Sequence, residues 1–133
     1  MGLVTRRRDV AVVLSGGGMN GVLMEHGFML RLRESSLWDR VGWIFGTSAG
    51  ALVGSMAALD RLDDLEQFLL TLQPEDTFRP TRLWQLPFLG LNEYALPQTI
   101  AERFGDLTAM ARELAACERE VVVCATDASP GDE

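Results

Sequence analysis

Two short stretches of the chain carry residues that can do chemistry. "GTSAG", residues 46–50, sets a serine between glycines, and "SGGGMNG", residues 15–21, strings three glycines ahead of a fourth. A serine hydroxyl on a tight turn can attack a carbonyl carbon, and the charge that builds on the carbonyl oxygen then needs hydrogen-bond donors. Backbone N–H groups of a glycine-rich loop are such donors, because no side chain obstructs them. The same loop can instead cradle a nucleotide phosphate, since Gly16, Gly18 and Gly21 satisfy GxGxxG. That reading also wants a carboxylate at the end of the next strand, for a ribose hydroxyl. Here the next strand, "VGWIFG", runs into Gly46 and Thr47. An oxyanion therefore ranks ahead of a nucleotide as the loop's ligand.

For both stretches to work they need strands before them and helices after them. Asp9–Ser15 is a short β-branched run and reads as a buried strand. A helix is expected from Asn20 to about Glu34, with Met24, Phe28 and Leu32 on its inner face. Val41–Phe45 reads as a second strand that ends at Gly46. A small-residue helix follows over Ala49–Leu59, with Leu52, Met56 and Leu59 on one face. GxSxG thus falls between strand and helix, the setting its mechanics require. In a parallel sheet both loops reach the same carboxyl edge. Ser48 is then the candidate nucleophile, and the N–H groups of Gly16, Gly17, Gly18 and Met19 the candidate oxyanion donors. Asn20, Gly21, Gly46, Thr47, Ala49 and Gly50 shape the two turns.

Downstream, Asp60 is expected to cap a helix with Asp63 at its third position and Leu62, Leu65, Leu69 and Leu72 inward. The Asp63, Asp64 and Glu66 cluster reads as a solvated helix start, where the dipole favours carboxylates, and not as a metal site. Residues 74–91 mix Pro74, Pro80 and Pro87 with Phe78, Trp84, Leu86, Phe88 and Leu89. They read as a loop or broken helix. A lid on its own core is preferred over a lipid-facing rim displaying Trp84 and Phe88. Helices are expected over Glu93–Phe104, stopped by Gly105, and over Leu107–Cys117 after an Asp106 cap. Residues 119–128 read as a third strand. The alternation of strand and helix argues for an α/β fold with a parallel sheet and helices on both faces.

Composition narrows the chemistry. The 133 residues suffice for one domain with a core. A formal net charge of −7 disfavours nucleic acid, whose binding runs on Lys and Arg. All 12 basic residues are Arg, so there is no lysine for a Schiff base or a P-loop. Arg6, Arg7 and Arg8 read as a solvated flank in preference to a lipid-headgroup contact. Cys117, Cys124 and the single His26 lack metal-ligand spacing, so neither metal nor cofactor is expected. The cysteines read as two buried thiols in a reducing compartment. The apolar run after the N-terminal arginines is too short for a secretion signal, and no stretch reaches transmembrane length. The expected location is the cytoplasm, with peripheral contact at membranes as an option.

"LSGGGMNGVLMEHGFMLRL", "IFGTSAGALVGSM" and "VVVCATDASPGDE" together resemble the patatin-like phospholipase family. The pairing of the glycine loop with GTSAG about 30 residues later is specific. The resemblance implies a three-layer α/β/α fold with a mainly parallel sheet and hydrolysis of acyl esters of lipids or phospholipids. It implies a Ser–Asp dyad without metal, in which Ser48 is the nucleophile and Gly16, Gly17, Gly18 and their neighbours to Gly21 form the oxyanion loop. The lone His26 precedes Ser48, in keeping with a dyad, and reads as a packed or surface histidine.

Two positions depart from the family's pattern. Asn20 stands where the loop usually has Arg or Lys. It either donates to the oxyanion or caps the first helix. The family's Asp-Gly-Gly or Asp-Gly-Ala turn is absent from residues 1–133, and Asp127 in "CATDASPG" reads as a structural turn. The chain is therefore expected to be the N-terminal part of a patatin-like domain. Its dyad aspartate would lie outside, and a C-terminal half or another chain would complete the sheet. The alternative is a non-catalytic, degenerate patatin fold that binds lipid or a partner, which Asn20 and the absent aspartate favour. An acyltransferase ranks lower, because Thr47 replaces the histidine of a GHS motif and no histidine follows Ser48. A dinucleotide module ranks last.

Overall fold

The structure, a computed structural model, describes residues 7–80 and 92–126. Arg6, Trp84, Leu86, Pro87, Phe88, Leu89 and Asp127 lie outside the described residues. In chain order the elements are β1 (Val10–Leu14), α1 (Gly18–Arg33), a 3-10 turn (Trp38–Arg40), β2 (Val41–Thr47), α2 (Ala49–Ala58) and α3 (Leu62–Thr71). Then come α4 (Pro74–Thr77), β3 (Phe78–Pro80), β4 (Asn92–Tyr94), α5 (Leu96–Phe104), α6 (Leu107–Ala115) and β5 (Glu120–Cys124). Two compact units result: residues 1–65 with 113–133, and residues 66–112. Among the described residues no helix is long and apolar enough to cross a membrane.

The first unit is built on a parallel sheet of order β1-β2-β5. The strands are β-branched runs, and their register aligns Val12 with Ile44 and Ile44 with Val121. Val12, Leu14, Val41 and Ile44 are buried, which is why these short strands read as a core. The order advances in one direction, so right-handed crossovers carry both α1 and α2 to the same face. α2 lies on that face and touches all three strands. Val13 and Trp43, which alternate with the buried residues, are 77% and 40% exposed on the other face.

Small residues let α2 approach the sheet. A Cβ on Gly50 would lie 2.5 Å from the Leu14 carbonyl oxygen, and one on Gly54 would lie 2.8 Å from Ile44 Cγ2. The inner face of α2 is therefore Ala49, Gly50, Val53, Gly54, Met56 and Ala57, and not the Leu52, Met56, Leu59 row expected from spacing. α1 departs in the same way. Val22, His26 and Met29 are buried, whereas Met24 is 77% and Phe28 52% exposed. Apolar residues surround α1 on most sides, so an i, i+4 row does not single out the packed face.

The α2–α3 junction also differs from expectation. Asp60 does not cap α3; it ends α2, with φ +57 and its N–H on the Ala57 carbonyl at 3.2 Å. The Arg61 N–H reaches the Met56 carbonyl at 2.8 Å. Together these bonds make a Schellman motif with aspartate in the left-handed position. The Asp60 carboxylate instead pairs with Arg33, whose guanidinium also holds Asp63 at 3.0 Å. Asp63 and Asp64 do occupy the first turn of α3, and Leu62, Leu65 and Phe68 are buried. Cys117 and Cys124 are free thiols, Cys117 partly buried and Cys124 exposed, against the expectation of two buried ones.

The second unit contains an antiparallel pair, β3 with β4, in the register Phe78↔Tyr94 and Arg79↔Glu93. The helix expected from Glu93 begins at Leu96, after β4. Gly105 stops α5 with φ +80, and Asp106 Oδ1 accepts from the N–H of Thr108 at 2.8 Å, the anticipated cap of α6. Arg103 ties this unit together. It donates to Thr71 Oγ1 at 2.8 Å and to Asp76 Oδ2 at 2.5 Å, and its guanidinium lies over the Phe68 ring.

At the start of β1, Arg40 Nε and a terminal nitrogen grip the two Asp9 oxygens at 2.9 and 3.0 Å. This bidentate pairing holds the Asp9 carboxyl below its ordinary pKa. A carboxyl with a depressed folded pKa stabilises above its unfolded pKa and loses that contribution as pH falls through the folded value. Arg40→Ala should thus lower the melting temperature more at neutral pH than at acid pH, where the Asp9 carboxyl becomes protonated. An equal loss at both pH values would show that the pair is not the cause.

Candidate active site

β2 delivers its last residue, Thr47, to the carboxyl edge of the sheet, and α2 starts two residues later. Ser48 makes the turn between them with φ +53 and ψ −114. A side-chain-bearing residue rarely adopts this conformation, which costs about 1–3 kcal/mol. The neighbours enforce it. A Cβ on Gly46 would lie 2.5 Å from the Gly50 carbonyl oxygen, so strand and helix fold back on each other with no space between them. The Gly50 N–H donates to the Ser15 carbonyl at 3.2 Å and anchors the start of α2 to the end of β1. Ser48 is exposed, its hydroxyl does not cap α2, and its carbonyl accepts from Ala51 at 3.0 Å.

The glycine loop meets this turn directly. A Cβ on Gly16 would stand 3.5 Å from Ser48 Cβ, and one on Gly21 would stand 3.2 Å from Ala49 Cβ. A Cβ on Gly17 would collide with Gly21 Cα at 2.8 Å. Glycine at 17 lets the loop close on Gly21, glycine at 21 lets it approach Ala49, and the Gly16 position lies at ordinary contact distance from Ser48. α1 begins at Gly18, with Gly17 as its N-cap, and the Gly21 N–H closes the first turn on the Gly17 carbonyl at 2.9 Å. An α-helix leaves its first N–H groups without intrahelical acceptors, so those of Gly17, Gly18, Met19 and Asn20 remain for other partners. Since Gly21 and Ala49 touch, the N-terminal ends of α1 and α2 lie side by side, and both favour negative charge there.

The candidate residues fall into two groups. Gly16, Gly17, Gly21, Gly46, Ser48, Ala49 and Gly50 form one contiguous turn-and-loop cluster. Gly18 (φ +56), Met19 and Asn20 are exposed on the first turn of α1, and Thr47 is exposed at the end of β2, paired with Cys124. Asn20 is the third helical residue and not the cap of α1. The capping oxygen there is supplied by nothing: Gly17 has no side chain, and φ near 180° makes it extended. His26 is buried, and its Nε2 donates to the Leu62 carbonyl at 3.0 Å. It is a packed histidine.

Two residues escaped the sequence reading. Ser15 provides the carbonyl that anchors Gly50. Glu25, two turns into α1, lines an open cleft of about 320 Å³ with Val13, Leu14, Ser15, Met24 and Phe28. Burial pushes the Glu25 carboxyl above its ordinary pKa. In the sequence it shows only as a carboxylate between Met24 and His26. A second cleft, of about 380 Å³, is lined by Leu114, Glu118, Arg119 and Val121 at the entry to β5, the opposite end of that strand from Ser48's edge.

A family model described as Patatin-like phospholipase matches residues 12–116, which include both the glycine loop and the serine turn. No curated protein and no solved structure matches the chain.

The strain at position 48 is measurable. Ser48→Gly should unfold at higher urea than Ser48→Ala, by about 1 kcal/mol in unfolding free energy, because glycine adopts positive φ freely. Equal stability of the two variants would mean that the turn relaxes. Asn20→Ala should change unfolding free energy by less than about 0.5 kcal/mol, as for an exposed residue that caps nothing. A larger loss would restore a capping role.

Proposed function

The chain belongs to the patatin-like phospholipase family, and from that premise we propose that it hydrolyses carboxylic esters of lipids through an acyl-enzyme on Ser48. The observation that carries the reading is the contact of the Gly16 position with Ser48 at the joined N-termini of α1 and α2. In this mechanism Ser48 Oγ attacks the ester carbonyl carbon, and a base takes the hydroxyl proton. The carbonyl oxygen becomes an oxyanion that the loop amides of Gly16, Gly17, Gly18 and Met19 receive. The ester C–O bond then breaks, the alcohol leaves with a proton, and water repeats the attack to free the fatty acid.

The base in this proposal is an aspartate in an Asp-Gly turn, as the family resemblance implies, outside residues 1–133. His26 is held by the Leu62 carbonyl and does not serve. Asn20 adds amide donors without charge, so the oxyanion rests on backbone N–H groups and two helix dipoles. A lipid substrate suits the surroundings, since Val13, Met19 and Leu23 are exposed apolar residues close to the loop in sequence. Peripheral contact with a membrane fits the same exposed residues. The position of Asn20 favours, as a second reading, a lipid-binding module without catalysis.

Labelling separates the two. An alkyl fluorophosphonate should modify Ser48 in the full-length protein, and Ser48→Ala should lose both the label and hydrolysis of a p-nitrophenyl ester. An unlabelled, inactive wild-type protein that still binds lipid vesicles would support the binding module. Hydrolysis that persists in Ser48→Ala would refute the nucleophile assignment.

A further inference from the structure

We infer that the outward side of α1, together with Val13 of β1, docks the protein on an electrically neutral, zwitterionic lipid bilayer. The inference deepens the hydrolase reading above and rests on it for what the surface delivers. α1 is apolar on two sides: Val22 and Met29 are buried, while Leu23, Met24 and Phe28 face solvent. A helix that is apolar all round belongs in a core or in lipid, so the outer side of α1 lacks a partner. Met24 and Phe28 stand one turn apart and line one cleft with Val13, which is itself exposed. Leu23 stands one turn from Met19, whose N–H is among the first-turn donors without an intrahelical acceptor. The apolar side therefore begins at the loop that would receive the substrate.

Charge selects the occupant. Residues 18–30 contain no arginine and a single carboxyl, Glu25, whose Oε2 is buried. At the far end of α1, Arg31 is paired with Glu34, and Arg33 with Asp60 and Asp63. Arg7 and Arg8 precede β1, at the opposite end of that strand from the glycine loop, and Arg8 pairs with Glu118. Among the described residues no cluster of cations borders the apolar side to hold anionic headgroups. The formal net charge of −7 opposes an anionic bilayer, and it opposes a second copy of the chain as well. A protein seated over Met19 and Leu23 would also obstruct the loop. A zwitterionic bilayer meets none of these objections: it is neutral, takes up apolar side chains and carries the ester.

The test is co-sedimentation of the full-length protein with phosphatidylcholine vesicles, and with vesicles that also contain phosphatidylserine. Wild type should bind phosphatidylcholine, and neither phosphatidylserine nor added salt should change the affinity by more than about twofold. Met24→Ser combined with Phe28→Ser should weaken binding about tenfold or more, because two large side chains no longer leave water. Each single variant should lose part of this, which keeps the test readable if urea unfolding shows the double variant to be misfolded. Leu70→Ser, at an exposed leucine of α3, should bind as wild type does. Wild type that ignores phosphatidylcholine, binding that needs phosphatidylserine and is released by salt, or an equal loss in Leu70→Ser would each overturn the inference. So would a lipid-free dimer in analytical ultracentrifugation that the double variant dissociates, since a second copy would then occupy the surface. Failure of the hydrolase reading shows separately, as absent fluorophosphonate labelling of Ser48 in protein that still binds the vesicles, and leaves the docking surface standing.

Discussion

The close approach of α2 to the sheet is the constraint on which the rest depends. At Gly50 the helix backbone sits against Leu14 with no room for a methyl group, and at Gly46 the strand sits against the helix that follows it. The contacts bend the chain so sharply that Ser48 adopts a positive φ. The same compression projects its hydroxyl outward instead of letting it cap α2. Strain and reactivity thus share one origin: packing that leaves the side chain at position 48 no other place. Glycine at positions 17 and 21 then lets a second backbone segment turn tightly and lie against the first.

The electrostatics of the site come from the backbone. The described part of the cluster contains no charged side chain, and the chain as a whole carries a net charge of −7. Negative charge developing on a substrate would otherwise meet an unfavourable field. Two helix N-termini brought together at Gly21 and Ala49 supply local positive potential that does not titrate. The arginines are used elsewhere: Arg40 on Asp9, Arg33 on Asp60 and Asp63, Arg103 on Asp76. Arg119 lies over the Trp38 ring at 3.9 Å, where burial lowers its pKa.

Much of the site was legible because glycine spacing and strand–turn–helix order encode close backbone approach. β1 and β5 stand out as β-branched runs, and SGGG and GTSAG fall at the exits of β1 and β2. Helix faces were less legible. In α1 the sequence offers Met24 and Phe28 as readily as Val22 and Met29, and only the tertiary partner α2 decides. In α2 the packed face is made of glycines and alanines, which a search for large apolar residues passes over. Asp60 and Asn20 were misplaced for a related reason. Both residue types favour helix starts, but Asp60 also tolerates the left-handed turn that ends α2, and a glycine occupied the start of α1.

The strand order has a kinetic corollary. Pairing Val12 with Ile44 closes a loop of 32 residues, whereas pairing Ile44 with Val121 closes one of 77. The longer closure costs about 0.8 kcal/mol more in chain entropy. Every contact that bends the chain at Ser48 comes from residues 14–51, the shorter loop and the few residues that follow it. The nucleophile turn is therefore topologically local. Its geometry is specified by a single βαβ unit and the start of the following helix, without β5.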